Sequence, residues 1–392
     1  MCRLDTAMAL RILGSLCTFA ALSVAAKPYS VLMADSVIAR NTTLGLDASG
    51  APKTDYQHGV IERALEMVYN ATGDSKYYAY QKWGVDNIID SAGKLLDYSL
   101  SDYILDDLRL GQEFLYLWLK TGEAKYKTAA NTLRNQLNTQ PRNKDGGFWH
   151  KLKYPNQMWL DGQYMALPFF AQHTALFAPT NLTALSDIVL QFTDLQIHAL
   201  NRTSGLLDHG YDASHVAVWA DHITGASPHE WIRAMGWYTM ALLDVLDYFP
   251  KSHPGYAIIL GYFKALMPAV VAAADPVTGG WWLVMDQPGR AKNYIESSGT
   301  AMFVYSLLKG VRVGFLDKKG GFVEAAEKAY EYMLEAFVVT NEDGTLDWEG
   351  TVKVGSLDGA GDYDYYVGVP LQTNDPKGVA AFIFASVEYE QK

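Results

Sequence analysis

Asp161 lies in the segment Gln157-Met158-Trp159-Leu160-Asp161-Gly162-Gln163-Tyr164-Met165, a single carboxylate among aromatic and apolar side chains where a helical pattern begins. Burying an unpaired carboxylate is expensive, and an apolar wall strengthens such a group's hold on its proton. Asp161 is therefore a candidate acid catalyst. An aspartate just ahead of a helix also serves as an N-cap, and Trp159, Tyr164, Met165 and Phe169 would then simply be core. The local pattern leaves both readings open.

Three further groups carry polar chemistry. In Leu207-Asp208-His209-Gly210-Tyr211-Asp212, His209 and Asp212 sit beside glycine and tyrosine. There a histidine either binds a hydroxyl or carboxylate, or ties a loop to its own backbone. In Trp231-Ile232-Arg233-Ala234-Met235-Gly236-Trp237-Tyr238, Arg233 lies between two tryptophans. Its guanidinium suits a bidentate grip on a carboxylate while the aromatics receive a sugar ring. The competing reading is a helical ion pair with Glu230, three residues earlier. Lys151 could add a second cation, and Asp106 and Asp107 in Leu105-Asp106-Asp107-Leu108 divide between helix capping and site chemistry. Adjacent residues do not point into one cleft in the same way, so one of the two is expected to face it. His215 and His222 follow at a spacing that matches no zinc signature.

The elements that must hold these groups are helices. Apolar residues recur on one face at helical period over 58–69, 107–119, 234–249, 299–310 and 322–333. Thr72-Gly73-Asp74-Ser75-Lys76-Tyr77 and Thr121-Gly122-Glu123-Ala124-Lys125-Tyr126 are near copies 49 residues apart, each reading as a helix, a glycine exit and a returning helix. Glycine-aromatic loops follow at Gly146-Gly147-Phe148-Trp149, Gly205-Leu206-Leu207-Asp208-His209, Gly279-Gly280-Trp281-Trp282 and Gly344-Thr345-Leu346-Asp347-Trp348. Their spacing of roughly 60 to 75 residues suits repeated helix pairs, which must bury their apolar faces against neighbours. A closed toroid would gather many loops around one cleft, and it is favoured over an open solenoid. Residues 28–52 read as an N-terminal arm, and no interdomain linker is evident.

Residues 1–26 read as a secretory leader, with Arg3 and Arg11 ahead of an apolar run and Val24-Ala25-Ala26 as its exit. The run is too short and too interrupted to read as a membrane span, and no later segment reads as a better one. Both cysteines, Cys2 and Cys17, fall inside the leader, so 27–392 would fold as one large domain without disulfides. Loss of the leader moves the formal charge from -11 to about -12, the wrong sign for a nucleic-acid binder. Sequons at Asn41, Asn70, Asn181 and Asn201 fit passage through a secretory pathway.

Taken in order, these motifs resemble the unsaturated rhamnogalacturonyl hydrolases of glycoside hydrolase family 105. The resemblance runs through Tyr56 with His58-Gly59, Leu105 to Leu108, Trp149-His150-Lys151, Met158 to Gly162, His209 and Trp231 to Tyr238. It ends on Glu296-Ser297-Ser298-Gly299-Thr300-Ala301-Met302-Phe303. It implies an all-α (α/α)6 barrel acting on the non-reducing end of oligosaccharides left by pectin lyases, where a 4,5-unsaturated uronic acid is linked to rhamnose. By the same resemblance Asp161 is the catalytic acid and base, and Asp106 is the second essential aspartate, with Asp107 one residue away. Tyr56, Lys151, Met165, His209, Arg233 and Trp237 would surround the unsaturated sugar, Arg233 and Lys151 holding its carboxylate. Asp161 would protonate C4 and then help water add at C5, unlike the paired-carboxylate attack at the anomeric centre of ordinary glycosidases. No metal or other cofactor is needed. The expected partner is an unsaturated uronyl oligosaccharide, with no nucleic acid and no membrane for the mature chain; the oligomeric state is left open, a monomer being compatible with the sequence. The alternatives are an unsaturated glucuronyl hydrolase acting on another polyuronate, and a non-catalytic carbohydrate-binding helical protein.

Overall fold

The computed structural model describes residues 27–392; the expected leader, with its two cysteines, lies outside them. Thirteen helices are described. Six form an inner ring: α2 (Tyr56–Thr72), α4 (Gly111–Thr121), α6 (Leu160–Phe177), α8 (Ile232–Val245), α10 (Ser297–Arg312) and α13 (Pro376–Glu390). Six lie outside it: α1 (Tyr29–Arg40), α3 (Ser75–Asn87), α5 (Ala124–Thr139), α7 (Leu182–His198), α9 (Pro254–Ala272) and α11 (Phe322–Ala336). A short α12 (Tyr363–Gly368) precedes the last inner helix. Inner helices pack in sequence, and α13 touches both α10 and α2, so the ring closes into an (α/α)6 barrel.

The 28–52 stretch is a correction, because it is not a simple arm. Met33, Ala34 and Val37 are buried on one face of α1, which docks on α13 and α2 and supplies the sixth outer helix. The near copies behave as expected. Gly73 and Gly122 take left-handed conformations at φ 71° and 72° and end α2 and α4, a position where a side chain would be strained. Two inner helices are buried nearly all round: every residue of α8 is covered, as is α10 from Ser297 to Gly310. Such burial leaves room for small residues only where backbones nearly touch. A Cβ on Gly299 would lie 2.4 Å from Ile232 Cγ1, and one on Gly236 would lie 2.7 Å from Met302 Sδ. α9 is long and apolar enough to cross a membrane by length and composition, although no such later span was expected. Here it packs on α7 and α8.

Connections from outer to inner helices carry short antiparallel pairings, such as Leu46 with Pro52, Ile89 with Leu95, Arg142 with Phe148, Leu200 with Leu207 and Trp282 with Ile295. The last of these connections pairs β3 (Val338–Thr340) with β4 (Leu346–Trp348). Each pairing is a tight loop that returns the chain to the mouth of the ring, where the inner helices begin.

Candidate active site

A cleft of about 500 Å³ opens at that mouth, a size ordinary for small-molecule sites. Asp161 sits on its floor in the first turn of α6, where the helix dipole favours a negative charge. Two strands place it. β1 (Gln157–Trp159) pairs with β2 (Gly210–Asp212), and Leu160 N–H donates to the His209 carbonyl at 2.9 Å. Those bonds bring Asp161 beside a histidine 48 positions away. Its Oδ2 lies 2.9 Å from His209 Nε2, and His209 Nδ1 lies 2.7 Å from the Tyr366 hydroxyl. Asp161 is not an N-cap: that position is Trp159, and no side chain caps the helix.

The expected direction of the Asp161 pKa needs correction. Burial pushes it up, but the electrostatic pull and hydrogen bond of His209, with His150 behind, hold it below the usual carboxylate value. The apolar wall exists, since Trp159 stacks on both Tyr154 and His150 with ring centroids 4.6 and 4.4 Å away. A buried polar partner outweighs it. His150 itself is pulled down to about 4 by burial, so it is neutral. It reaches this depth because residue 162 is glycine: a Cβ there would meet His150 Nδ1 at 3.0 Å and Leu105 Cδ1 at 3.1 Å.

The tandem aspartates part company. Residues 107–119 do not form one helix; Leu105–Leu110 is a 3-10 turn and α4 starts at Gly111. The Phe169 ring lies against Gly111, where a Cβ would stand 2.4 Å from Cδ2. Asp106 lines the cleft, bound by Lys151 Nζ at 2.6 Å with His150 Nε2 at 3.5 Å. Asp107 is 8 % exposed behind it. Burial, and then the charge of Asp106, push Asp107 up to about 8, so it is protonated at neutral pH.

Tyr56, Lys151 and Met165 also line the cleft. Arg233 and Trp237 lie beneath it. Trp237 is buried and stacks on Tyr164 at 4.9 Å. Arg233 pairs with Glu296 at 3.7 Å and not with Glu230, which bonds Ser204 and Asn201. Its guanidinium donates to the Val352 carbonyl at 2.6 Å and to that of Lys353, so it grips a loop wall and not open space. That loop continues through Val354, Gly355, Ser356 and Asp358 along the cleft, with Asp358 bridged to Lys153 at 3.1 Å across it. Asp212 anchors a turn by accepting from Ser214, Val216 and Ala217. Among the described residues no group of three or more His, Cys, Asp or Glu side chains is placed to hold a metal ion.

Sequence reasoning missed Tyr366, Tyr365, Lys153 and Asp358. The only signal for the first pair was the density of tyrosines in Asp362-Tyr363-Asp364-Tyr365-Tyr366.

Fold and site together define a carbohydrate-active hydrolase, and comparison with known proteins agrees. Residues 29–392 match the model of Glycosyl Hydrolase Family 88, and the chain belongs to that family. The structure of a family 105 glycoside hydrolase from C. acetobutylicum ATCC 824 is 36% identical, with a TM-score of 0.88, covering 93% of this chain and all of that one. The unsaturated rhamnogalacturonyl hydrolase YesR of Bacillus subtilis is 24% identical over 298 residues, 74% of this chain and 78% of its own. The unsaturated glucuronyl hydrolase of Bacillus sp. GL1, at 14% identity and a TM-score of 0.69 over 92% of this chain and 96% of that one, shares the fold. The chain is a glycoside hydrolase.

Proposed function

We propose that this hydrolase removes a 4,5-unsaturated uronic acid from the non-reducing end of rhamnogalacturonan fragments. One observation carries the reading: Asp161 lies on the cleft floor hydrogen-bonded to His209, while the other cleft carboxylates are held by lysines, Asp106 by Lys151 and Asp358 by Lys153. An anomeric displacement needs two carboxyl groups working on one bond. Protonation of an enol ether needs one. Asp161 delivers its proton to C4, and positive charge develops at C5 and the ring oxygen. Water adds at C5 and returns a proton to Asp161. The C5 hemiketal then opens to a ketone, which leaves C1 as a hemiacetal that expels the neighbouring sugar as an alcohol. The aromatic wall of Tyr154 and Trp159 offers faces for the ring. Lys151 and the inner-helix N-termini favour its carboxylate.

Rhamnose as the neighbouring sugar rests on the likeness to YesR. The second reading, a glucuronyl hydrolase, is favoured by the shared fold with the Bacillus sp. GL1 enzyme. We place the enzyme outside the cell, on the leader and the four sequons. The test is loss of the ultraviolet absorbance of the double bond with rhamnose-, galactose- and hexosamine-linked unsaturated uronides. Rhamnose-linked substrate should be consumed fastest, and Asp161→Asn should abolish turnover with helical circular dichroism intact. No loss with any of the three, or turnover retained in the variant, defeats the proposal.

A further inference from the structure

His209 is fully buried, and its ring nitrogens meet two partners among the described residues: Asp161 Oδ2 at Nε2 and the Tyr366 hydroxyl at Nδ1. A neutral imidazole has one N–H, and which nitrogen carries it is set by the partner of the other. A backbone carbonyl or carboxylate at Nδ1 would demand the N–H there. A hydroxyl does not, because it can donate. Tyr366 is itself buried, on α12, with its ring stacked on Trp231 at a 5.8 Å centroid distance. Its hydroxyl has no second partner among the described residues. If Nδ1 carried the hydrogen, the hydroxyl would accept it and its own proton would be orphaned, a costly state for a buried donor. If Nδ1 accepts, every group is satisfied and Nε2–H points at Asp161.

We infer that Tyr366 is a positioning residue that fixes His209 as the Nε2–H tautomer, a standing donor to Asp161 that has no free site at Nε2 to take up the transferable proton. His209 therefore donates to Oδ2 through the whole cycle and does not capture the acid's proton. Proton traffic with substrate is left to the other oxygen, Oδ1. Nothing is oxidised, and the proton that leaves Oδ1 for C4 is replaced by one from the attacking water.

The surroundings permit this. Facing the Asp161–His209–Tyr366 chain are His150 from the loop before β1, Tyr365 on α12, and Asp208, His229 and Asp286 from neighbouring loops. His229 is held on Asp286 at 2.8 Å through Nδ1. Burial foremost, with the nearby carboxylates, holds the Tyr366 hydroxyl well above the usual tyrosine value, so it stays a donor.

The inference rests on the proposed role of Asp161, and its test separates the two. In protein labelled with 15N at histidine, the resonances absent from His209→Gln belong to His209. The wild type should show a bare Nδ1 and a protonated Nε2 near neutral pH, without any substrate. Tyr366→Phe should mix the tautomers, and kcat on an unsaturated uronide should fall roughly 10-fold, the scale of one lost buried hydrogen-bond partner, with little change in KM. Its pH profile should also move. A protonated Nδ1 in the wild type overturns the inference whether or not any uronide is hydrolysed. So does a folded Tyr366→Phe with wild-type kcat and pH profile while Asp161→Asn is inactive. An enzyme that hydrolyses no uronide but shows the expected tautomer defeats the proposed reaction and leaves the tautomer assignment standing.

Discussion

Replacing Asp107 by asparagine should make the protein more stable, increasingly so as pH rises. The native carboxyl is pushed up to about 8 by burial and by Asp106, whereas an unfolded aspartate titrates near about 3.9. Between these values the folded state binds a proton that the unfolded state does not, so stability falls as pH rises across that window. Each pH unit is worth about 1.4 kcal/mol, which makes the penalty at pH 7 on the order of 4 kcal/mol. The penalty is absent below about pH 4 and complete above about pH 8. The substituted amide is a neutral group of nearly the same shape and does not ionise in the unfolded chain. The wild type and Asp107→Asn should therefore melt within about 1 to 2 °C of each other near pH 4.5, and the variant should melt higher by about 5 to 6 °C near pH 7.5 for a chain of this size. Denaturant titration at the two pH values measures the same difference. An equal gap at both pH values, or a variant less stable at pH 7.5, would refute the claim that Asp107 is buried in its protonated form.

Gly162→Ala should lower kcat more than it lowers stability. Its Cβ would crowd His150 Nδ1 at 3.0 Å and Leu105 at 3.1 Å, a strain of about 1 to 3 kcal/mol, and it would tilt the wall beside Asp161; wild-type kinetics would contradict this. For the sequons, expression in a secretory eukaryotic host should glycosylate Asn181, which is exposed and caps α7 through its carbonyl oxygen, leaving its amide free. Asn201 donates its amide to Glu230 at 3.1 Å and should stay bare. Glycopeptide masses showing the reverse occupancy would count against that reading.

Most of the ring was legible because helix periodicity and glycine exits are local signals, and Gly73 and Gly122 ended their helices where expected. Several of the departures share one cause, which is contact between residues distant in sequence. The 3-10 turn at Asp106 depends on Phe169 lying against Gly111, some 58 residues on. Arg233 had an obvious neighbour in Glu230, yet it pairs with Glu296 and with a loop beyond residue 350. Tyr366 lies 157 positions from the histidine it meets, and a tyrosine in a tyrosine-rich stretch announces nothing. Asp161 itself was found from its setting, but the sign of its pKa shift was not, because the apolar residues were adjacent in the chain and the histidine was not.

The closure of the ring by α13 has a consequence for how the molecule is made. The first inner helix, α2, finds its second neighbour only when the last one has formed, and the Val352 loop and Tyr366 arrive just ahead of it. During synthesis the chain therefore carries an open, apolar seam until α13 has formed, a state exposed to misassociation. Catalytic competence and closure of that seam arrive together, so a partly made chain displays neither a working cleft nor a finished barrel. The loops that line the cleft and the helix that closes the ring are thus neighbours in the chain.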